Sequence, residues 1–93
     1  MTSGIYIMTN KSNGHRYVGY SEDLEIRFPE NIRQLKAGTF GKDFERLIND
    51  FDASEEDFIF GILEVTQNDP SIMSSRSEYW KKLIRPEYNN LSD

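Results

Sequence analysis

Gly4-Ile5-Tyr6-Ile7-Met8-Thr9-Asn10-Lys11-Ser12-Asn13-Gly14-His15-Arg16-Tyr17-Val18-Gly19 is the stretch that decides the fold. Its middle, Asn10 to Gly14, is turn chemistry: Asn tolerates the left-handed region and Gly adopts positive φ at no steric cost. β-Branched and aromatic residues stand on both sides of that turn. The pattern predicts a β-hairpin with strands over 4–9 and 15–20.

Successive side chains of a strand point to opposite faces. Ile5 and Ile7 therefore share one face, and Tyr6 and Met8 share the other. If Ile5, Ile7 and Val18 face the core, Tyr6 and Tyr17 stand together on the opposite face, with Gly19 leaving room for a ligand beside them. A pair of tyrosines across a hairpin is ordinarily a stabilising aromatic contact and carries no function by itself.

Further short motifs give that pair a context. Asp23-Leu24-Glu25-Ile26-Arg27, Phe58 to Glu64, Ser77-Glu78-Tyr79-Trp80 and Tyr88-Asn89 follow in order. With Gly4-Ile5-Tyr6 and Tyr17-Val18-Gly19, the chain resembles the GIY-YIG nuclease family, including the nuclease domains of homing endonucleases, from Gly4 to about Asn89. The resemblance implies a metal-dependent endonuclease that hydrolyses DNA phosphodiester bonds. It implies a site of Tyr6, Tyr17, Arg27, Glu78 and Asn89 (with Asn90 the second match for the last). Glu78 would be the metal ligand and Mg²⁺ or Mn²⁺ the ion. Many members have a histidine one helical turn after the arginine, where this chain has Asn31. An amide cannot exchange a proton as imidazole does, so a phosphate contact is the role left to Asn31.

Ninety-three residues suit one domain, 1–93. The absence of cysteine excludes disulfides and thiolate metal sites, and one histidine excludes an ordinary zinc constellation. A hard cation that keeps its waters and needs only one or two carboxylates remains compatible. No apolar run has the length of a membrane span and no signal peptide opens the chain, so a soluble, cytoplasmic monomer is expected. The formal charge of −5 is unusual for a DNA binder. Asp50, Asp52, Glu55, Glu56 and Asp57 crowd one connection, read as a solvated loop. Lys11, Arg16, Arg27, Arg33, Lys81 and Lys82 leave a basic face available. Weak unaided affinity for DNA follows, with a tethered recognition region or a protein partner as the expected helper.

Beyond the hairpin, Ser21 is placed to cap a helix whose apolar side is Leu24, Phe28, Ile32 and Leu35. Pro29 interrupts that helix and predicts a kink or a restart near 25–29. Gly41 to Phe51 reads as a second helix, with Phe44, Leu47, Ile48 and Phe51 as its core stripe. Phe58 to Val65 is nearly all apolar, which predicts a central strand covered on both faces. Asp69-Pro70 starts a last helix and Pro86 stops it. The order is β-β-α-α-β-α: an α+β fold, a three-stranded antiparallel sheet flanked by helices.

The chemistry of phosphodiester hydrolysis needs a base for water and a charge to meet the transition state. Arg27 offers a planar, permanently charged fork matched to phosphate oxygens. A phenol with a pKa near 10 is a poor base unless nearby cations lower it. Either Tyr6 or Tyr17 fits the task; Tyr6 is the preferred base and Tyr17 the preferred orienter of water or phosphate, and spacing does not separate the two roles. Glu78 is also an ordinary i, i+4 partner for Lys82, and His15 is expected in solvent. The competing function is a binding module that keeps the fold without turnover.

Overall fold

The computed structural model describes residues 1–37 and 57–90. Strands β1 (Gly4–Asn10) and β2 (Arg16–Ser21) form the hairpin, helix α1 spans Leu24–Ala37, strand β3 spans Phe58–Val65, and helix α2 spans Pro70–Ile84. A 3₁₀ turn, Tyr88–Asn90, follows. The second helix expected over Gly41 to Phe51, and the acidic stretch up to Glu56, lie outside the described residues.

The sheet is antiparallel, in the order β2-β1-β3. The central strand is therefore β1, and the expectation that Phe58 to Val65 is central is corrected. Its apolar run does not come from burial on both faces: Ile59, Ile62 and Val65 are exposed while Phe58 is buried. Between Ile5 and Tyr6 the register with β3 shifts by one residue. That bulge re-aims the end of β3. Leu63 packs beside Ile5, Val18 and Met73, and the next residue, Glu64, also meets α2.

Each face of the hairpin is covered. Ile5, Ile7 and Val18 pack under α2 with Met73, Trp80 and Ile84. Met8 and Tyr17, on the other face, pack with Ile32 and Leu35 of α1 and with Phe58, Phe60 and Tyr88. The hairpin turn closes as its sequence requires: Gly14 takes φ 77 and its N–H donates to the Asn10 carbonyl at 2.7 Å. The Asn10 side chain is buried, accepts from the Ser12 N–H, and donates to the Tyr88 hydroxyl.

Helix α1 starts one residue pair later than Ser21. The Asp23 carboxylate accepts from the Ile26 N–H at 3.3 Å, while the Ser21 hydroxyl accepts from the Asp23 N–H at 3.1 Å. The helix runs through Pro29 without restarting. Pro29 and Glu25 both lie on the exposed side, so the carbonyl that loses its partner faces water. Helix α2 has the ends its sequence predicts. Asp69 accepts from the Ser71 and Ile72 N–H groups, Pro70 opens the helix, and Arg85 ends it in the left-handed region at φ 54. Glu64 pins α2 to β3 by accepting from Arg76 Nε at 2.9 Å and from Trp80 Nε1 at 2.9 Å.

Candidate active site

The hairpin register sets the site. Tyr6 lies opposite Gly19 and Met8 opposite Tyr17. Tyr6 and Tyr17 are thus diagonal neighbours on one face, with ring centroids 6.1 Å apart. The space at Gly19 is not left for a ligand. A Cβ there would fall 2.8 Å from the Tyr6 hydroxyl oxygen and 2.9 Å from its ring carbons. Glycine lets the Tyr6 ring lean across β2 toward the outer edge of the sheet.

Tyr6 is 2% exposed. Phe28 of α1 meets its ring edge-on at 5.5 Å, and Phe60 lies at 6.5 Å. The Tyr6 phenol is therefore closed off from solvent, whereas Tyr17 is half-buried. Burial drives the Tyr6 phenol far above its ordinary pKa, with the neighbouring Tyr17 adding to the rise and Asn31 and Arg27 opposing it. Burial raises Tyr17 as well, against hydrogen bonding from Tyr6 and the charge of Arg27.

Asn31 is a core residue: it is 1% exposed and its Nδ2 donates to the Tyr6 hydroxyl at 2.7 Å. A phosphate contact is closed to a side chain so buried. The signal available in the sequence was position: residue 31 falls on the same helical face as Leu24, Phe28 and Leu35.

Arg27 stands on α1 one turn before Asn31. It is half-exposed and pairs through Nη1 with Glu30 at 2.9 Å. It faces both phenols electrostatically. It also lines a cavity of about 240 Å³ with Ser21, Glu22, Asp23 and Glu30. Glu22, Asp23 and Glu30 make the wall of that cavity acidic.

Asn89 reaches the outer edge of β2. Its Oδ1 accepts from the Val18 N–H at 2.7 Å and its Nδ2 donates to the Val18 carbonyl at 3.0 Å. Glu87 accepts the Arg16 N–H at 3.0 Å. Side chains of the last turn thus take the place of a fourth strand along the edge strand that carries Tyr17. His15, expected in solvent, is half-buried with its ring against Tyr88 at 5.6 Å.

Glu78 is placed differently. The side of α2 packed on the sheet carries Met73 and Ser77, both buried. A helix turns 100° per residue, so Glu78 lies about a quarter-turn round, on the flank away from Arg76. Its side chain is 61% exposed and its carboxylate lies 3.4 Å from Lys81 Nζ, rather than pairing with Lys82. The inward neighbour, Ser77, is 1% exposed and its Oγ has no hydrogen-bond partner. Among the described residues no group of three or more His, Asp or Glu comes together. A single exposed carboxylate such as Glu78 is compatible with a Mg²⁺-like ion that keeps most of its waters.

The sequence profile of the GIY-YIG catalytic domain matches residues 2–90. The chain belongs to the GIY-YIG catalytic domain family. Its fold agrees with solved structures. The catalytic domain of the homing endonuclease I-TevI superposes with a TM-score of 0.80 at 26% identity, over 89% of this chain and 88% of that one. A mutant form of that catalytic domain gives 0.79 at 28% identity, over 91% and 86%. In sequence the chain is 28% identical over 95 residues to intron-associated endonuclease 1 of Enterobacteria phage T4, covering all of this chain and 38% of that protein. The chain thus spans well under half the length of the curated relative it matches. The three-stranded antiparallel sheet expected from the sequence is borne out. Among the described residues no helix is long and apolar enough to cross a membrane.

Proposed function

We propose that this domain hydrolyses DNA phosphodiester bonds at the Tyr6–Tyr17–Arg27 cluster, as a GIY-YIG nuclease acting in the cytoplasm. The observation that carries this is the packing of the two phenols on one sheet face with Arg27 as their charged neighbour. Arg27 would bind a non-bridging phosphate oxygen and meet the charge that grows in the transition state. The phenols would orient water and take its proton. Asn89 would act from the other side of β2 by fixing the backbone between Tyr17 and Gly19. Glu78 would hold Mg²⁺ or Mn²⁺. When bound, that ion supplies Lewis-acid polarisation of the phosphate and stabilises the leaving oxygen.

A tethered DNA-recognition region or a protein partner would supply the affinity that a chain of net charge −5 lacks. The first test is incubation of the pure chain with supercoiled plasmid and Mg²⁺ or Mn²⁺, beside Arg27→Ala. Nicking by the parent and not by Arg27→Ala supports the proposal.

A second function is favoured by one observation: α2 turns the neutral Ser77 inward and its acid outward. A hydroxyl is a poorer ligand for a hard cation than a carboxylate. On that basis the domain would bind DNA or a protein without turnover. Shifted DNA with intact plasmid at every metal concentration selects this alternative.

A further inference from the structure

In the free chain Arg27 is already bound to an anion. Its Nη1 donates to Glu30 Oε1 at 2.9 Å, across one turn of α1. The two side chains are 38% and 33% exposed, so water screens the pair only in part. Glu22 and Asp23 stand in the same cavity wall. Among the described residues, the ion pair of Arg27 is with Glu30 and not with either of them.

A carboxylate and a phosphate suit the same fork of guanidinium donors. We infer that Glu30 is an affinity-determining residue: its carboxylate holds Arg27 in place of a DNA phosphate, and binding at the site requires Arg27 to exchange one anion for the other. This rests on the phosphate-binding role proposed above for Arg27. The exchange is non-covalent. The Nη1–Oε1 hydrogen bond opens, an N–H to phosphate bond forms, and no proton moves.

Two effects add against DNA. Glu30 sits on the same helix as Arg27, so it competes without the loss of translational freedom that DNA association costs. Once displaced, its carboxylate is left beside the arriving phosphate, where like charges repel. Both effects act at one cation, whereas the net charge of −5 is spread over the whole chain. That cation is also the one whose charge acts on Tyr6 and Tyr17.

The test is fluorescence anisotropy of a random-sequence duplex titrated with the full chain in EDTA, where no cleavage intervenes. Glu30→Gln keeps the shape of the side chain and removes its charge; it should tighten binding about three- to tenfold. Loss of any acid lessens repulsion, so Glu22→Gln, in the same cavity wall, is the control and should tighten binding less than about twofold. In an Arg27→Ala background, Glu30→Gln should bring no gain beyond that of the control. Glu30→Ala gives the same reading if Glu30→Gln does not fold. On plasmid with Mg²⁺, Glu30→Gln should lower KM.

Equal gains from Glu30→Gln and Glu22→Gln, a gain that survives the loss of Arg27, or a fall in kcat in Glu30→Gln would overturn the inference; the last would show that Glu30 aligns Arg27 instead. Arg27→Ala alone separates this inference from the role on which it rests. If Arg27→Ala weakens binding while Glu30→Gln only matches the control, the phosphate role stands and the exchange falls. If Arg27→Ala binds as the parent does, the phosphate role falls and the exchange falls with it.

Discussion

The ring of Tyr6 rests on the backbone of Gly19: a single added carbon at Gly19 would lie 2.8 Å from the Tyr6 hydroxyl. One strand of the hairpin thus carries the phenol and the other carries the gap it fills. Tyr6 cannot retreat, because Phe28 and Phe60 close on it from the other side. Gly19→Ala should therefore displace Tyr6 and destabilise the domain by about 1–3 kcal/mol, the usual cost of overpacking. Urea denaturation measures the loss, and cleavage should fall with it.

The two phenols make stability pH-dependent on the alkaline side. Both hold their protons more tightly in the folded chain than in the unfolded one. Above about pH 10 the unfolded chain sheds phenolic protons that the native chain keeps, so the unfolded state binds fewer protons and stability falls. The contribution is complete below that pH and is lost as pH climbs toward the raised folded values. Unfolding midpoints measured on both sides of pH 10 should show this decline, and Tyr6→Phe should flatten it.

Asn89 closes the outer edge of β2 with a bond to each side of the Val18 peptide groups. Asn89→Ala removes both bonds and leaves the edge to water. Each is worth about 0.5–1.5 kcal/mol, so a loss of about 1–3 kcal/mol is expected in the same denaturation experiment. Arg16 keeps its Glu87 partner in that variant. Asn89→Asp should be intermediate, since it retains an acceptor for the Val18 N–H and lacks the donor.

The metal role of Glu78 has a sharp signature. Glu78→Gln should abolish Mg²⁺-dependent cleavage and leave the unfolding midpoint within about 0.5 kcal/mol of the parent, as for an exposed position whose ion pair is worth little. Equal cleavage by the two proteins would assign Glu78 to surface pairing with Lys81.

What was legible in the sequence was what local chemistry fixes. The turn from Asn10 to Gly14, the alternation that puts Tyr6 and Tyr17 on one face, and the Asp69-Pro70 start of α2 each follow from a few adjacent residues. What was not legible depends on contacts distant in the chain. The apolar run of β3 looked like a doubly covered strand, but the hairpin's own first strand took the centre and left Ile59, Ile62 and Val65 facing out. The helical face that Asn31 shares with Leu24, Phe28 and Leu35 signals its burial, but the hydroxyl it meets lies 25 residues upstream and no local pattern names it. Glu78 and Ser77 are adjacent, and only the packing of Met73 on the sheet says which of them turns inward.

Affinity for DNA should be weak. Exposed acids farther away than about 8 Å are largely screened at physiological salt, so only the groups near the site act there. Binding to random duplexes is expected at about 10⁻⁴–10⁻⁶ M, falling steeply with added salt. Fluorescence anisotropy gives the value directly. Nanomolar binding by the chain alone would remove the need for a tethered region or partner.

Cleavage of supercoiled plasmid under single-turnover conditions reads the hydrolysis itself. The parent chain with Mg²⁺ or Mn²⁺ should yield nicked or linear DNA, while Tyr17→Phe, folded to the same unfolding midpoint within about 1 kcal/mol, should not. Plasmid left intact by a folded parent chain at micromolar protein with either metal, or cleaved equally by Tyr17→Phe, would contradict the assignment of phosphodiester hydrolysis to this tyrosine pair.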